Sequence, residues 1–228
     1  MPELPFIQVL TDNLDRDVRG RTIARVRLHS PSLLKTYEPP LTVSQGRRIA
    51  GVRRIAKLVV VDLEGDLSLV IHLMRHGRVQ IGPPRARGGK DLALGLGLDD
   101  GGEARLVELG PKKRASVYLL QTSTMMDVEP FAGLGIDPLD PGFSAGRLGA
   151  MLAGETGQLK KFLTLQRYVT GIGNAYSDEI LWEARLSPFL RADRVESAGI
   201  PTLHAAIVTT LQRALGEHRR HFAADLPT

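Results

Sequence analysis

Gly171-Ile172-Gly173-Asn174-Ala175-Tyr176-Ser177-Asp178-Glu179-Ile180-Leu181 is the stretch on which the architecture turns. Two glycines one residue apart permit the positive φ angles of a tight turn. Asn174 follows where an N-cap is wanted, and apolar residues then recur at helical spacing, so a helix is expected over 174–186. Just upstream, Leu159, Phe162 and Leu163 mark another helix over 157–166. Further apolar periodicity predicts helices over 144–153 and 201–221. The second part of the chain therefore reads as all-helical, with the glycine pair at one interhelical corner. The free N–H groups at such a helix start, together with the Asn174 amide, suit a phosphate. Lys160 and Lys161, one helix earlier, add positive charge on the same side. Taken alone, the same four residues also describe an ordinary helix-turn-helix corner.

Upstream of this region the period changes. Residues 121–143 carry Gly133, Gly135, Pro138, Pro141 and Gly142 with little periodicity, which marks a linker. Before it, Ala24, Val26 and Leu28 alternate with Arg25 and Arg27. Residues 59–63 and 67–73 flank Glu64-Gly65-Asp66 as a hairpin. Leu92, Leu94, Leu96 and Leu98 alternate with small residues, residues 99–103 turn, and strands follow over 105–109 and 115–120. At the front, Leu4, Ile7, Leu10, Leu14 and Val18 recur at three and four residues and Gly20 follows, the pattern of an amphipathic helix with a glycine C-cap. The fold class is α+β: a β-sandwich with a leading helix over 1–128, a linker over 129–143 and a helical domain over 144–228.

Composition narrows the functional classes. The 228 residues include no cysteine, which excludes disulfides, thiolate nucleophiles and cysteine-based zinc sites. No apolar run approaches the roughly 18 residues of a membrane span, and Glu3 and Pro5 interrupt any signal peptide. The net charge is +5, with basic clusters at Arg47-Arg48, Arg53-Arg54, Lys112-Lys113-Arg114, Lys160-Lys161 and Arg219-Arg220. That is the footprint of a phosphate-backbone binder, although charge alone is a weak argument.

The residues that carry chemistry begin at the N-terminus. Removal of Met1 leaves Pro2 with a free secondary amine, a nucleophile that forms an iminium at a sugar C1′. Ordinary α-amino groups titrate near pH ~8, so a nearby cation or desolvation would assist attack. Glu3 is placed to move protons during ring opening and elimination. In isolation the same residues merely open the first helix. Lys57, preceded by Arg53 and Arg54 at the start of a strand, is a candidate phosphate contact, or else a solvated lysine. In His72-Leu73-Met74-Arg75-His76-Gly77, Met74 or Arg75 at a loop tip could wedge into a base stack. His72 and His76 lack an obvious third ligand, so no metal is expected there.

Together these residues resemble the formamidopyrimidine-DNA glycosylase / endonuclease VIII family. The matching pieces are Met1-Pro2-Glu3-Leu4-Pro5, the approach Arg53-Arg54-Ile55-Ala56-Lys57, the strand end at residues 72–77, the linker Gly135-Ile136-Asp137-Pro138-Leu139, and residues 171–179, which match the family's helix–two-turn–helix motif. They occur in the family's order along the chain. The resemblance implies a bifunctional DNA glycosylase and abasic-site lyase of base excision repair, acting on an oxidised or ring-opened base. Pro2 is then the nucleophile, Glu3 the acid/base, and Lys57 and Asn174 bind phosphates beside the extruded nucleotide with Lys160 in support. Met74, Arg75, Lys112, Arg114, Gly171 and Gly173 are further DNA contacts. The implied partner is double-stranded DNA with a damaged base or abasic site, met by a monomer at the bacterial nucleoid in the cytoplasm. Several positions depart from the family. Phe6 and Gln8 stand where acids are common, and Leu165 stands where many members have Asp. Lys112-Lys113-Arg114 replaces a void-filling loop that carries an aromatic. The family's C-terminal zinc finger is absent, so no cofactor is expected in this chain. The alternative is a non-catalytic or weakly active relative or fragment that binds damaged DNA.

Overall fold

The computed structural model describes residues 1–84, 89–223 and 225–227; Thr228, where the predicted helical domain ends, lies outside them. The chain divides into two compact units. One comprises residues 1–2, 6–131 and 222–228, the other residues 3–5 and 132–221.

The first unit is a β-sandwich with a leading helix. Helix α1 spans Leu4–Val18 and most of it belongs here. Its Ile7, Leu10, Leu14 and Val18 enter the core at the predicted spacing. Among the described residues eight strands follow: β1 (Ile23–Leu28), β2 (Ile49–Ile55), β3 (Leu58–Leu63), β4 (Leu67–His72), β5 (Gly77–Gly82), β6 (Leu92–Leu98), β7 (Glu103–Glu108) and β8 (Ser116–Gln121). They form two antiparallel sheets in the orders β1-β6-β7-β5 and β2-β3-β4-β8. Val59, Val61, Leu69, Ile71, Leu94, Leu96, Ala104 and Leu106 alternate into one buried cluster, as period-2 patterning requires.

Two strands, β2 and β5, go beyond the sequence reading. Arg53 and Arg54 are residues of β2 rather than an approach to a strand. The register makes this possible: Arg53 pairs with Asp62 of β3 through two bonds of 2.6 and 3.1 Å, and Arg54 donates to Gln8 Oε1 at 2.9 Å. Ala56 at φ +53° and Lys57 then form the two-residue turn into β3.

The second unit is helical. It contains α2 (Ala145–Ala153), α3 (Leu159–Thr164), α4 (Asn174–Glu183) and α5, which spans Gly199–Phe222 and ends at the unit's boundary. Ser144 caps α2 by accepting from Arg147 N at 3.2 Å. Phe162, Leu148, Leu159, Ile180, Leu203, Ile207 and Leu211 make a separate core, and the Phe162 ring stacks on Tyr168 at 4.7 Å. Glu3–Pro5 groups with this unit although the sequence division assigns it to 1–128. The cause is local bonding: Leu4 N donates to Gly171 O at 3.0 Å, and the Leu4 side chain packs in the helical core.

Candidate active site

In the helical unit, two motifs 170 residues apart in sequence meet. The buried Glu3 carboxylate accepts from Gly173 N at 2.7 Å and Tyr176 N at 3.2 Å through Oε2, and from Ala175 N at 2.9 Å through Oε1. A carboxylate therefore caps α4 from 170 residues away, satisfying the helix's orphan N–H groups and facing the positive end of its dipole. Both glycines are sterically required. Gly171 sits at φ +82°, and a Cβ there would lie 2.7 Å from Leu4 Cβ. A Cβ at Gly173 would lie 2.5 Å from Glu3 Cδ. Gln166 shapes the turn, accepting from Gly171 N at 2.8 Å and donating to Ile172 O at 2.9 Å.

This corrects the phosphate reading of the turn. The Gly171 and Gly173 amides are already bonded, to Gln166 and Glu3, and are not open to an anion. Asn174 is the first residue of α4, while Gly173 holds the cap position and Glu3 supplies the capping oxygens. The Asn174 side chain is exposed and remains available to a ligand. Lys160 is engaged by Asp178 of the same motif at 2.7 Å. Deeper in, Tyr176 Oη lies 3.2 Å from His218 Nε2. Burial, then Glu179, Glu3 and Glu217, push the phenol up to about 12. The His218 imidazole is lowered by burial, with His221 adding to the effect against Glu217.

In the β unit, Pro2 is half-buried and Met1 is exposed. Lys57 is buried, 6% exposed, and not solvated. Its charge is felt by His72 at the end of β4, whose imidazole is held below its ordinary value by burial first and Lys57 second. Four of the predicted DNA contacts share one pocket of about 250 Å³. Met74, Arg75, Lys112 and Arg114 line it with Met1, His76 and Glu108. Met74 sits at φ +50° in the turn into β5, closed by Gly77 N donating to Leu73 O at 2.8 Å. The pocket's cations suit phosphate.

Sequence comparison fits this arrangement. The family model described as the formamidopyrimidine-DNA glycosylase N-terminal domain matches residues 1–110, and that of the family's H2TH domain matches residues 134–223. The chain is 34% identical over 218 residues to the formamidopyrimidine-DNA glycosylase of Roseiflexus sp. (strain RS-1), covering 94% of this chain and 78% of that protein. The chain belongs to the formamidopyrimidine-DNA glycosylase family. The formamidopyrimidine-DNA glycosylase of Mycolicibacterium smegmatis is 32% identical over 222 residues, with 95% and 77% coverage. Among solved structures, the Lactococcus lactis formamidopyrimidine-DNA glycosylase bound to DNA with an abasic site shares the fold at TM-score 0.88 and 24% identity, covering 95% of this chain and 82% of that one.

Within this formamidopyrimidine-DNA glycosylase frame, the departures acquire structural settings. Phe6 meets Phe222 edge-on, with centroids 6.1 Å apart. The loop that lacks an aromatic is held by Lys113, which contacts Asp91 at 3.2 Å, and by Glu108. The chain has no cysteine, and no cluster of three or more His, Asp or Glu suited to a metal occurs among the described residues. No helix among the described residues is long and apolar enough to cross a membrane.

Proposed function

We propose that this chain is a bifunctional DNA glycosylase and abasic-site lyase of base excision repair, excising an oxidised or ring-opened base through an iminium on Pro2. The observation that carries the reading is the clamp on Glu3. Three amides fix the carboxylate of the residue covalently next to the nucleophile, so the N-terminus is a built feature and not a loose end. The relatives' names as DNA glycosylases and the solved neighbours' complexes with abasic-site and Fapy-dG DNA support the substrate class.

In this reading Met1 is removed and the Pro2 nitrogen bonds to C1′ of an extruded nucleotide. The glycosidic bond breaks and the base leaves with its electron pair and a proton. The damaged nucleotide must leave the stack, because C1′ is out of reach in intact duplex. Ring opening gives the iminium, which draws electrons from C2′ and lets the neighbouring phosphates depart by elimination. Glu3 moves protons to and from the sugar. Asn174 and Lys57 bind backbone phosphates, and Lys160 joins them by exchanging Asp178 for a phosphate. Met74 and Arg75 enter the space the nucleotide vacates.

Borohydride reduction of a mixture with abasic-site duplex tests the nucleophile. The wild type forms a covalent protein–DNA adduct and Pro2→Gly does not. Equal adduct from both would remove Pro2 from the mechanism. The second reading, a damaged-DNA binder without turnover, draws on Phe6 where the family commonly has an acid; it is recognised by salt-sensitive binding with neither adduct nor strand cleavage.

A further inference from the structure

Glu108 has no role in the chemistry above, yet it lines the pocket that holds Met74, Arg75, Lys112 and Arg114. It ends β7 and is 2% exposed. One oxygen, Oε1, accepts from both Arg114 N and Ala115 N at 2.7 Å. These charge-assisted bonds offset part of the cost of burying a carboxylate and fix the loop that carries Lys112 and Arg114. The second oxygen, Oε2, accepts from no described residue. Glu108 is also the sole carboxylate among the pocket's lining residues, whose other polar members are Arg75, His76, Lys112 and Arg114.

A pocket built only for phosphate would not place a buried carboxylate among its cations, because the anion would meet a like charge. A neutral group presenting N–H donors matches instead. On DNA, that group is a nucleobase edge with an exocyclic amine; carboxylates accept from the cytosine amino group, and a guanine amino edge offers the same donors. The thioether of Met74 supplies a polarizable contact for a ring, and the surrounding cations are free to meet the flanking phosphates.

The geometry points to Glu108 as a specificity-determining residue that reads the amino edge of a nucleobase entering this pocket. The inference rests on the reading of the chain as a DNA glycosylase. The base is either the damaged one or the one opposite it, and two arms of one experiment separate them.

Glu108→Gln is the informative variant. Its amide keeps a carbonyl oxygen for the two loop amides and puts an NH2 where Oε2 was. Affinity is measured in a Pro2→Gly background, so that no base is removed during the measurement. In one arm, duplexes carry a stable abasic analogue opposite cytosine, adenine, guanine or thymine. In the other, cytosine is fixed opposite and the damaged base carries or lacks an exocyclic amine. The expected result is a preference for the amine-bearing base in one arm, which Glu108→Gln reduces about tenfold. The arm that responds names the base being read. Unchanged ratios in both arms overturn the proposal. So does a uniform loss on every duplex with both Glu108→Gln and Glu108→Ala, which would leave Glu108 as a loop anchor only. Because the readout is binding, failure of the glycosylase reading registers separately, as absence of a borohydride adduct with the wild-type protein.

Discussion

Replacing Glu3 by Gln tests the cap on α4 directly. The substitution preserves side-chain length but leaves one acceptor oxygen for three donors. That oxygen keeps most partners at the Oε2 position, with Gly173 N and Tyr176 N, so the new NH2 faces Ala175 N, donor against donor. A hydrogen bond to a charged group contributes about 1.5–3 kcal/mol, and a helix N-cap about 1 kcal/mol. One bond is lost in a buried setting and the other two become neutral, part of that loss is returned by relief of the carboxylate's desolvation, and a net destabilisation of about 3 kcal/mol is expected. For a chain of this size that lowers Tm by about 6–12 °C. Hydrogen exchange makes the assay local: the amides of Gly173, Ala175 and Tyr176 lose protection more than the amides of β3 and β4. A Tm within about 1 °C of the parent protein, with those three amides still protected, would refute the capping argument.

Other outcomes follow from the same coordinates. Gly173→Ala places a Cβ 2.5 Å from Glu3 Cδ; it should cost about 2 kcal/mol or more by denaturant titration and abolish the borohydride adduct. Asp178→Asn releases Lys160 from a pair that is substantially exposed. Stability should change by less than about 1 kcal/mol, while DNA affinity at low salt rises severalfold and its salt dependence steepens by about one charge. His72 has a folded pKa below its unfolded value of 6.5. Its contribution to stability is therefore complete above the unfolded pKa and lost as pH falls through 6.5 toward the folded value. An NMR titration of His72 should show the depressed midpoint, rising partway in Lys57→Met but not to the free value, because burial is the larger cause.

What is legible in this sequence is what local periodicity encodes. The spacing of Ile7, Leu10, Leu14 and Val18 places α1 because these residues enter one core, while Leu4 at the same spacing packs in the helical one. The leucine alternation of β6 likewise shows its inner face. Strand β2 escapes this reading because Gly51, Arg53 and Arg54 break the alternation, and their compensation, Asp62 and Gln8, comes from other elements. The site divides on the same principle. Pro2, Glu3 and Asn174 stand out as residue types, yet the bond between Glu3 and the glycine turn is long-range and no local pattern announces it. Gln166 and Glu108 are missed for that reason too: each acts through amides that only the folded chain brings to it. The solvated reading of Lys57 fails because a turn between two strands normally exposes its residues, and this one does not.

The cap on α4 also imposes an order on the molecule's making. Glu3 is translated 170 residues before Gly173, yet the amides that hold it belong to residues 173, 175 and 176. A nascent chain with a finished β-sandwich would still carry an untethered amino terminus. The carboxylate takes its position only when residues 173–176 have emerged and folded, so the setting of Glu3 is assembled late, and a translation product interrupted before them would lack the clamp.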